Sequence, residues 1–361
     1  MARAQFHRLQ VRDVRPVTTD AISVSFEVPA DLRDAYRFLP GQFLTLRERI
    51  NGEELRRSYS VCSGCPDYEA GAELRVAIKR VAGGRFSNWA NDTLRAGDTL
   101  DVMTPDGRFQ VPLDPQTRRR HVGFAGGSGI TPMLSLIKTT LAVEPQSEFT
   151  LVYGNRTIAS IMFLEELEEL KNRYMDRLRL YHVLSDESQE IQLLHGLLDE
   201  SKCAQIINAL ELADTIDEAF ICGPEPMMLA AEKALATAGV AASKIHVERF
   251  GLAPPAAIVH APVSDETAGA EVVMIIDGKQ RRLKVAFEGP SILEGGLAIG
   301  ADLPYACKAG VCCTCRARVL EGEVRMDRNF TLEQAEMDRG FVLTCQSHPV
   351  SERVVLSYDE R

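Results

Sequence analysis

The hydrophobic pattern changes texture twice along the chain. Up to about residue 115, apolar positions fall in short runs separated by turns. The runs are Ala21–Val28, Phe43–Leu46, Leu74–Val81 and Thr99–Met103, with turn residues at Pro40-Gly41 and Asp106-Gly107. Runs of that length between turns predict an antiparallel β-barrel. From about 118 to 250, strand-like segments at Val122–Ala125, Phe149–Tyr153, Leu178–Leu184, Ala219–Cys222 and Ile245–Val247 alternate with helical ones. The helical segments are Pro132–Leu141, Met162–Tyr174 and Pro226–Ala238, and the alternation predicts a doubly wound parallel sheet. Phe163, Leu167, Leu170 and Tyr174 recur at helical spacing and read as core. A Pro- and Ala-rich, then polar stretch over 251–269 predicts a semi-extended tether. Beyond it, Val272–Ile276 and Arg282–Phe287 flank Asp277-Gly278, a hairpin signal, and Ser291-Ile-Leu-Glu294 opens a helix as a capping box. The expected organisation is a multidomain α+β and α/β chain: a barrel at 1–115, an α/β domain at 118–250, the tether at 251–269 and a smaller domain at 270–361.

Length and charge narrow the function. A chain of 361 residues is too long for one ordinary core and fits two or three domains. The net charge of −10 argues against a nucleic-acid role, which needs concentrated Lys and Arg. Residues 151–250 hold 9 Lys and Arg against 17 Asp and Glu, which reads as a solvated acidic face or a dock for a basic partner. No apolar run approaches the roughly 18 residues of a membrane span, and the N-terminal residues lack an apolar signal core. Nine cysteines, an odd number, fit a reducing cytoplasm better than a disulfide scaffold.

Four of those cysteines carry chemistry. Cys307, Cys312 and Cys315 stand as C-x4-C-x2-C, and Cys345 follows after 29 intervening residues. Three thiolates on one loop plus a distant fourth is the ligand spacing of a plant-type [2Fe–2S] cluster, whereas four-cysteine zinc sites usually present two C-x2-C knuckles. Cys313, between two ligands, reads as a bystander. Gly127, Gly129, Thr131 and Pro132, in Gly126-Gly-Ser-Gly-Ile-Thr-Pro132, follow a predicted strand and open a predicted helix. Glycines admit a pyrophosphate close to the backbone, and the helix start supplies free N–H groups; Thr131 can cap that helix and Pro132 suits its first position. Taken alone, the same turn also fits a plain tight connection. Arg57-Ser-Tyr59-Ser60 lies on a barrel strand, where Arg57 can neutralise a pyrophosphate and Tyr59 can stack on a planar ring. In Gly83-Gly84-Arg-Phe-Ser87, Ser87 can cap a short helix aimed at phosphate. Cys62-Ser-Gly-Cys65 follows a barrel strand rather than opening a βαβ helix, and reads as structural.

Together these residues resemble the ferredoxin–NADP reductase superfamily, in particular members with a ferredoxin domain fused at the C-terminus. The resemblance covers nearly the whole chain, with the motifs in family order. It implies an antiparallel FAD-binding β-barrel, a doubly wound parallel-sheet nucleotide domain and a β-grasp ferredoxin domain. It also implies roles: Arg57, Tyr59 and Ser60 on the flavin, Gly84 and Ser87 on a second flavin phosphate, which favours FAD over FMN. Gly127, Gly129, Thr131 and Pro132 match the pyridine-nucleotide loop. Cys222, Gly223 and Pro224 match the Cys-Gly-Pro element beside the nicotinamide, and Phe250 the aromatic that covers the flavin. Read without the resemblance, Cys222, Glu248 and Phe250 are ordinary strand residues. Arg156, just after the second strand, favours NADPH over NADH. A finer resemblance, carried by Pro304–Cys312, Arg318–Val324, Phe341–Gln346 and Tyr153–Phe163, is to reductase subunits that serve a di-iron epoxidase. It implies electrons passing from NADPH through FAD and the [2Fe–2S] cluster to that separate oxygenase. The rival readings are a reductase for a Rieske dioxygenase or steroid hydroxylase, a non-catalytic iron–sulfur carrier, and a zinc-stapled interaction protein.

Overall fold

Alternate apolar positions in the first third of the chain, among them Leu9, Val24, Leu44, Leu46, Val76 and Ile78, have no exposure to solvent and form the interior of a barrel. The computed structural model describes residues 5–71, 73–213, 215–250 and 268–360, in two compact units, one spanning Phe6–Phe250 and one taking the residues from 268 onward. In the first unit the barrel strands are β1 (Phe6–Thr18), β2 (Ala21–Glu27), β3 (Phe43–Ile50), β4 (Glu53–Ser60), β5 (Leu74–Lys79) and β6 (Thr99–Met103), with short helices α1 (Cys65–Glu69) and α2 (Arg85–Thr93) between them. Their order is β4-β3-β6-β1-β2-β5, and an antiparallel bridge between Val61 and Val76 joins the two edges. That bridge brings the two edge strands together at one end. The turn at Asn51-Gly52 between β3 and β4 takes positive φ at both residues, the geometry of a tight hairpin, and fixes Leu44 opposite Tyr59.

The α/β part alternates strictly: β7 (Arg120–Gly126), α3 (Ile130–Val143), β8 (Glu148–Asn155), α4 (Leu164–Arg173), β9 (Leu178–Leu184), α5 (Glu200–Ala209), β10 (Glu218–Cys222), α6 (Glu225–Thr237) and β11 (Ile245–Glu248). All pairs are parallel, in the order β11-β10-β7-β8-β9. Successive strand residues point to opposite faces, and the sheet is buried on both. Phe149, Leu151 and Phe220 pack with α3 and α4, while Val152, Ala219 and Ile221 pack with α5 and α6. The first of these cores also takes in Ala21, Cys62, Ala77, Phe109 and Val111, so barrel and sheet share one apolar interior.

In the second unit, β12 (Gly269–Ile276) and β13 (Lys279–Ala286) form the expected hairpin, with positive φ at Asp277 and Gly278. Both turn N–H groups donate to the Asp359 carboxylate, at 2.7 and 2.8 Å. The helix α7 (Ile292–Ala298) is capped by Ser291, whose Oγ accepts from Glu294 N. There follow β14 (Arg316–Glu321), β15 (Val324–Met326), α8 (Gln334–Met337), β16 (Phe341–Leu343), β17 (Ser347–Pro349) and β18 (Arg353–Ser357). The main sheet runs β13-β12-β18-β14-β16, and β15 pairs with β17. The tether expected over 251–269 lies almost wholly outside the described residues.

Candidate active site and metal centre

In the α/β part, the order of strands reverses between β7 and β10, and open parallel sheets bind ligands at such a switch point, beyond the strands' C-terminal ends. The glycine loop leaves β7 there and Cys222-Gly223-Pro224 leaves β10. The two loops lie backbone against backbone: a Cβ at Gly129 would overlap the Cys222 carbonyl and stand 2.8 Å from Gly223 N, and one at Gly223 would stand 2.9 Å from Gly126 N. Gly127 takes φ +51, and its carbonyl accepts a 2.8 Å hydrogen bond from the hydroxyl of fully buried Tyr153. Two details differ from expectation. The helix begins at Ile130, one residue before Thr131, because a 3-10 turn over Gly127–Gly129 runs straight into it. Gly129 is the capping residue, Thr131 Oγ1 instead donates back to Ser128 O at 3.0 Å, and Pro132 takes the third helical position. That position still lies in the first turn, where a missing N–H leaves no intrahelical partner unmatched.

Cys222 is completely buried, and burial, with the Glu248 carboxyl adding to it, pushes its thiol well above the ordinary range. It pairs across the parallel ladder with Glu248. Burial pushes that carboxyl up to about 8, so it carries a proton at neutral pH. Sequence reasoning treated Glu248 as an ordinary strand residue. The signal that could have singled it out is a carboxyl at the C-terminal end of a strand beside the switch point. Phe250, two residues on, packs against the shared core that contains Cys222 and Cys62. Arg156 is exposed just past the end of β8, its carbonyl accepting from Asp186 N at 2.9 Å.

On the barrel, Arg57 is exposed, Tyr59 is half-buried and Ser60 is buried, all on β4. Burial pushes the Tyr59 phenol up. Its ring lies 5.9 Å from that of Phe86, the second residue of α2, so the strand and the Gly83-Gly84 loop are packed together. Arg85 reinforces this with a 2.5 Å ion pair to Glu53. Gly84 caps α2; a Cβ there would meet Ser87 Oγ at 2.6 Å. Ser87 is therefore not the cap but sits inside the helix, its Oγ accepting from Val81 N at 3.1 Å. The Ser60 hydroxyl is buried with no hydrogen-bond partner among the described residues, an arrangement that costs stability unless a ligand supplies one. Cys62 and Cys65 are both free; their thiols donate to Arg75 O and Phe38 O, and burial raises both, which disfavours the thiolate that redox chemistry needs.

The loop between α7 and β14 carries Cys307, Cys312, Cys313 and Cys315, and Cys345 lies in the turn between β16 and β17. Cys307 lies near Cys312, and Cys315 near Cys345. The Cys312 thiol, with backbone N–H groups of Ala309 and Cys312 at 3.3 and 3.4 Å from Cys307 Sγ, draws the Cys307 thiol below its ordinary range. The Cys315 thiol lowers Cys345 likewise. Among the described residues no three His, Cys, Asp or Glu groups converge on a single-ion point. Four thiols gathered in this way suit a two-iron cluster, where each iron takes two thiolates. Lys308 and Cys313 take positive φ within the loop, and Cys313 packs against the domain core.

A dinucleotide crevice beside a barrel with an unpartnered buried hydroxyl, followed by four gathered thiols, defines a modular electron-transfer oxidoreductase. Comparison with known proteins agrees in each part. Family models for an oxidoreductase FAD-binding domain, an oxidoreductase NAD-binding domain and a 2Fe-2S iron-sulfur cluster binding domain match residues 8–111, 124–233 and 274–350. The chain is 45% identical over 356 residues to a subunit of the 1,2-phenylacetyl-CoA epoxidase of Escherichia coli K12, covering 99% of this chain and 98% of that one. It is 37% identical to the ferredoxin reductase component of 3-ketosteroid-9-alpha-monooxygenase from Mycolicibacterium smegmatis, covering 98% and 97%. Its fold matches phthalate dioxygenase reductase with a TM-score of 0.58 at 23% identity, over 98% of both chains. The chain belongs to the family of ferredoxin reductase-type components of oxygenases. It is an oxidoreductase with FAD, nicotinamide-nucleotide and [2Fe–2S] domains.

Proposed function

We propose that this chain is the reductase of a di-iron phenylacetyl-CoA epoxidase in phenylacetate catabolism, using NADPH and working in the cytoplasm. The observation that carries the reading is 45% identity along 99% of the chain to a subunit of a 1,2-phenylacetyl-CoA epoxidase, together with the gathered thiols and the crevice. The domains span 1–115, 118–250 and 270–361. Bound FAD converts a hydride into single electrons, which a [2Fe–2S] centre carries onward. The chain's residues do the rest. Arg57 neutralises the flavin pyrophosphate, Tyr59 lies along the ring, and the unpartnered Ser60 hydroxyl donates to the ring's N5 side. Gly84 and Ser87 shape the loop at the second phosphate. Gly127 and Gly129 admit the nucleotide pyrophosphate to the start of α3, where Thr131 and Pro132 hold the first turn. Gly223 and Pro224 set the opposite wall. Cys222, kept neutral by burial, lies beside the nicotinamide, and Phe250 shields the flavin until nucleotide arrives. Cys307, Cys312, Cys315 and Cys345 hold the cluster. No helix among the described residues is long and apolar enough to cross a membrane.

The test is stopped-flow reduction by NADPH and NADH, followed by turnover with purified oxygenases. Arg156→Gln should lower kcat/KM for NADPH by roughly tenfold or more and leave NADH unchanged, since one charge-assisted contact is worth about 1.5–3 kcal/mol. Epoxide formation with a phenylacetyl-CoA epoxidase supports the assignment. Coupling instead to a 3-ketosteroid monooxygenase, whose reductase is 37% identical, would transfer it to that client.

A further inference from the structure

Among the charged groups that the mechanism leaves unused, one carboxylate ties together three of the segments that carry a flavin or nucleotide motif. Glu166 lies in the first turn of α4. Its two oxygens accept from Arg75 Nη2 of β5, each at 2.7 Å, and it is ion-paired with Lys138 of α3. Burial alone would raise the Glu166 carboxyl, but Lys138 and Arg75 more than offset it and hold it ionised.

Each partner leads to a site. The Arg75 carbonyl accepts from Cys62 N at 2.9 Å and from the Cys62 thiol, pinning the chain two residues beyond Ser60. Lys138 belongs to the helix whose start is the Gly127–Gly129 loop, and its neighbour Thr139 accepts from Cys65 N at 3.1 Å. Glu166 follows directly on the segment that carries Arg156, and Arg75 also lies 5.3 Å over the ring of Phe163, which caps α4 in a left-handed conformation. A neutral group in place of Glu166 would strip the shared counter-charge from two largely desolvated cations, leaving Arg75 the more distant Glu73 carboxylate at 3.8 Å.

We propose that Glu166 is a positioning residue: with Arg75 and Lys138 it fixes the barrel against the nucleotide domain and so sets the approach of the nicotinamide to the flavin. This rests on the reading of the two sites given above. Hydride transfer is steep in distance, and about 1 Å of misplacement costs on the order of 100-fold in rate.

The experiment is stopped-flow reduction of the full-length holoprotein by NADPH, comparing wild type, Glu166→Gln and Lys138→Gln. The readouts are limiting rate, half-saturating NADPH, flavin content and the long-wavelength charge-transfer absorbance of stacked nicotinamide and flavin. Glu166→Gln should lose at least tenfold in limiting rate and most of that absorbance, with little change in half-saturation and full flavin content. Lys138→Gln should lose less, in the same direction, and it decides the matter alone if Glu166→Gln does not retain flavin. Wild-type rate and wild-type absorbance in the deciding variant, even with a lower Tm, would overturn the proposal. A wild-type protein that neither NADPH nor NADH reduces would instead overturn the functional reading, and the clamp with it.

Discussion

A single methyl group tests whether the crevice between the glycine loop and Cys222-Gly223 is where nucleotide reacts. Gly129 has φ −61, an ordinary helical value, so alanine there meets no backbone strain. Its obstacle is steric. The added Cβ overlaps the Cys222 carbonyl and lies 2.8 Å from Gly223 N, where ordinary contact begins at 3.4 Å. Both obstacles are backbone, and the carbonyl oxygen is the nearer, so the loops themselves must part by more than an ångström. Such overpacking costs about 1–3 kcal/mol in stability, and a shift of ~1 Å at the reacting centre costs on the order of 100-fold in rate. Gly239, outside the motifs, is the matched control: a Cβ there meets nothing within 4 Å, but φ is +89. Alanine at Gly239 should cost about 1–2 kcal/mol in backbone strain without moving Cys222. Stopped-flow reduction by NADPH should therefore fall about 100-fold in Gly129→Ala and less than tenfold in Gly239→Ala, while dithionite still reduces flavin and cluster in both. A Gly129→Ala protein reduced at the wild-type rate with wild-type KM would refute the assignment of this crevice.

Other outcomes follow from the same geometry. Cys345→Ser should abolish the cluster's visible bands and iron content and leave flavin reduction by NADPH intact. Glu248 has a folded pKa of about 8 against an ordinary value of 4.5, so its stabilising contribution is complete below pH 4.5 and is lost as pH rises through 8. Across that window the Tm of the wild type should fall more steeply than that of Glu248→Gln, as pH-dependent calorimetry can show. Asp359→Ala removes both acceptors from the Asp277-Gly278 turn and should destabilise the C-terminal domain by about 1–3 kcal/mol, read as earlier thermal bleaching of the cluster bands.

What the sequence made legible was local. The strands of the α/β part were placed nearly to the residue because each is a short apolar run with a helix between it and the next. Several elements escaped notice, two of them for different reasons. The first barrel strand is 13 residues long with register shifts at Val11/Asp13 and Pro16/Thr18, which break the alternation that marks a strand. The helix Glu200–Ala209 does show Cys203, Ile206 and Ile207 at helical spacing, but only three buried positions carry the pattern. The two helix caps assigned to Thr131 and Ser87 failed together, since glycine took the cap in each case and the hydroxyls bonded back to the preceding loop. What no motif could reveal was contact at long range. Gly129 touches Cys222 across 93 residues, and Glu166 meets Arg75 across 91, because parallel strand order and the packing of barrel on sheet decide both.

The polar atoms left unsatisfied reach the same sites by an independent route. Among the described residues, buried side-chain atoms without a partner include Ser60 Oγ, Asn155 Nδ2 and Thr314 Oγ1. Each belongs to a predicted site residue or its immediate neighbour: the flavin strand, the residue before Arg156 and the residue before Cys315. Arg75, Arg119, His121, His348 and Gln346 also have an unsatisfied side-chain atom, but every one of them is held through another side-chain nitrogen. Ser135 Oγ on α3 and the two nitrogens of His182 on β9 are unmatched as well and lie outside the motifs. An unpaired buried group costs about 1–3 kcal/mol, and native proteins tolerate few. Three such groups, one beside each of three separate cofactor motifs, are hard to reconcile with a chain whose barrel and cysteine loop serve only as structure. They are what a fold shows when its hydrogen-bonding partners include molecules other than itself.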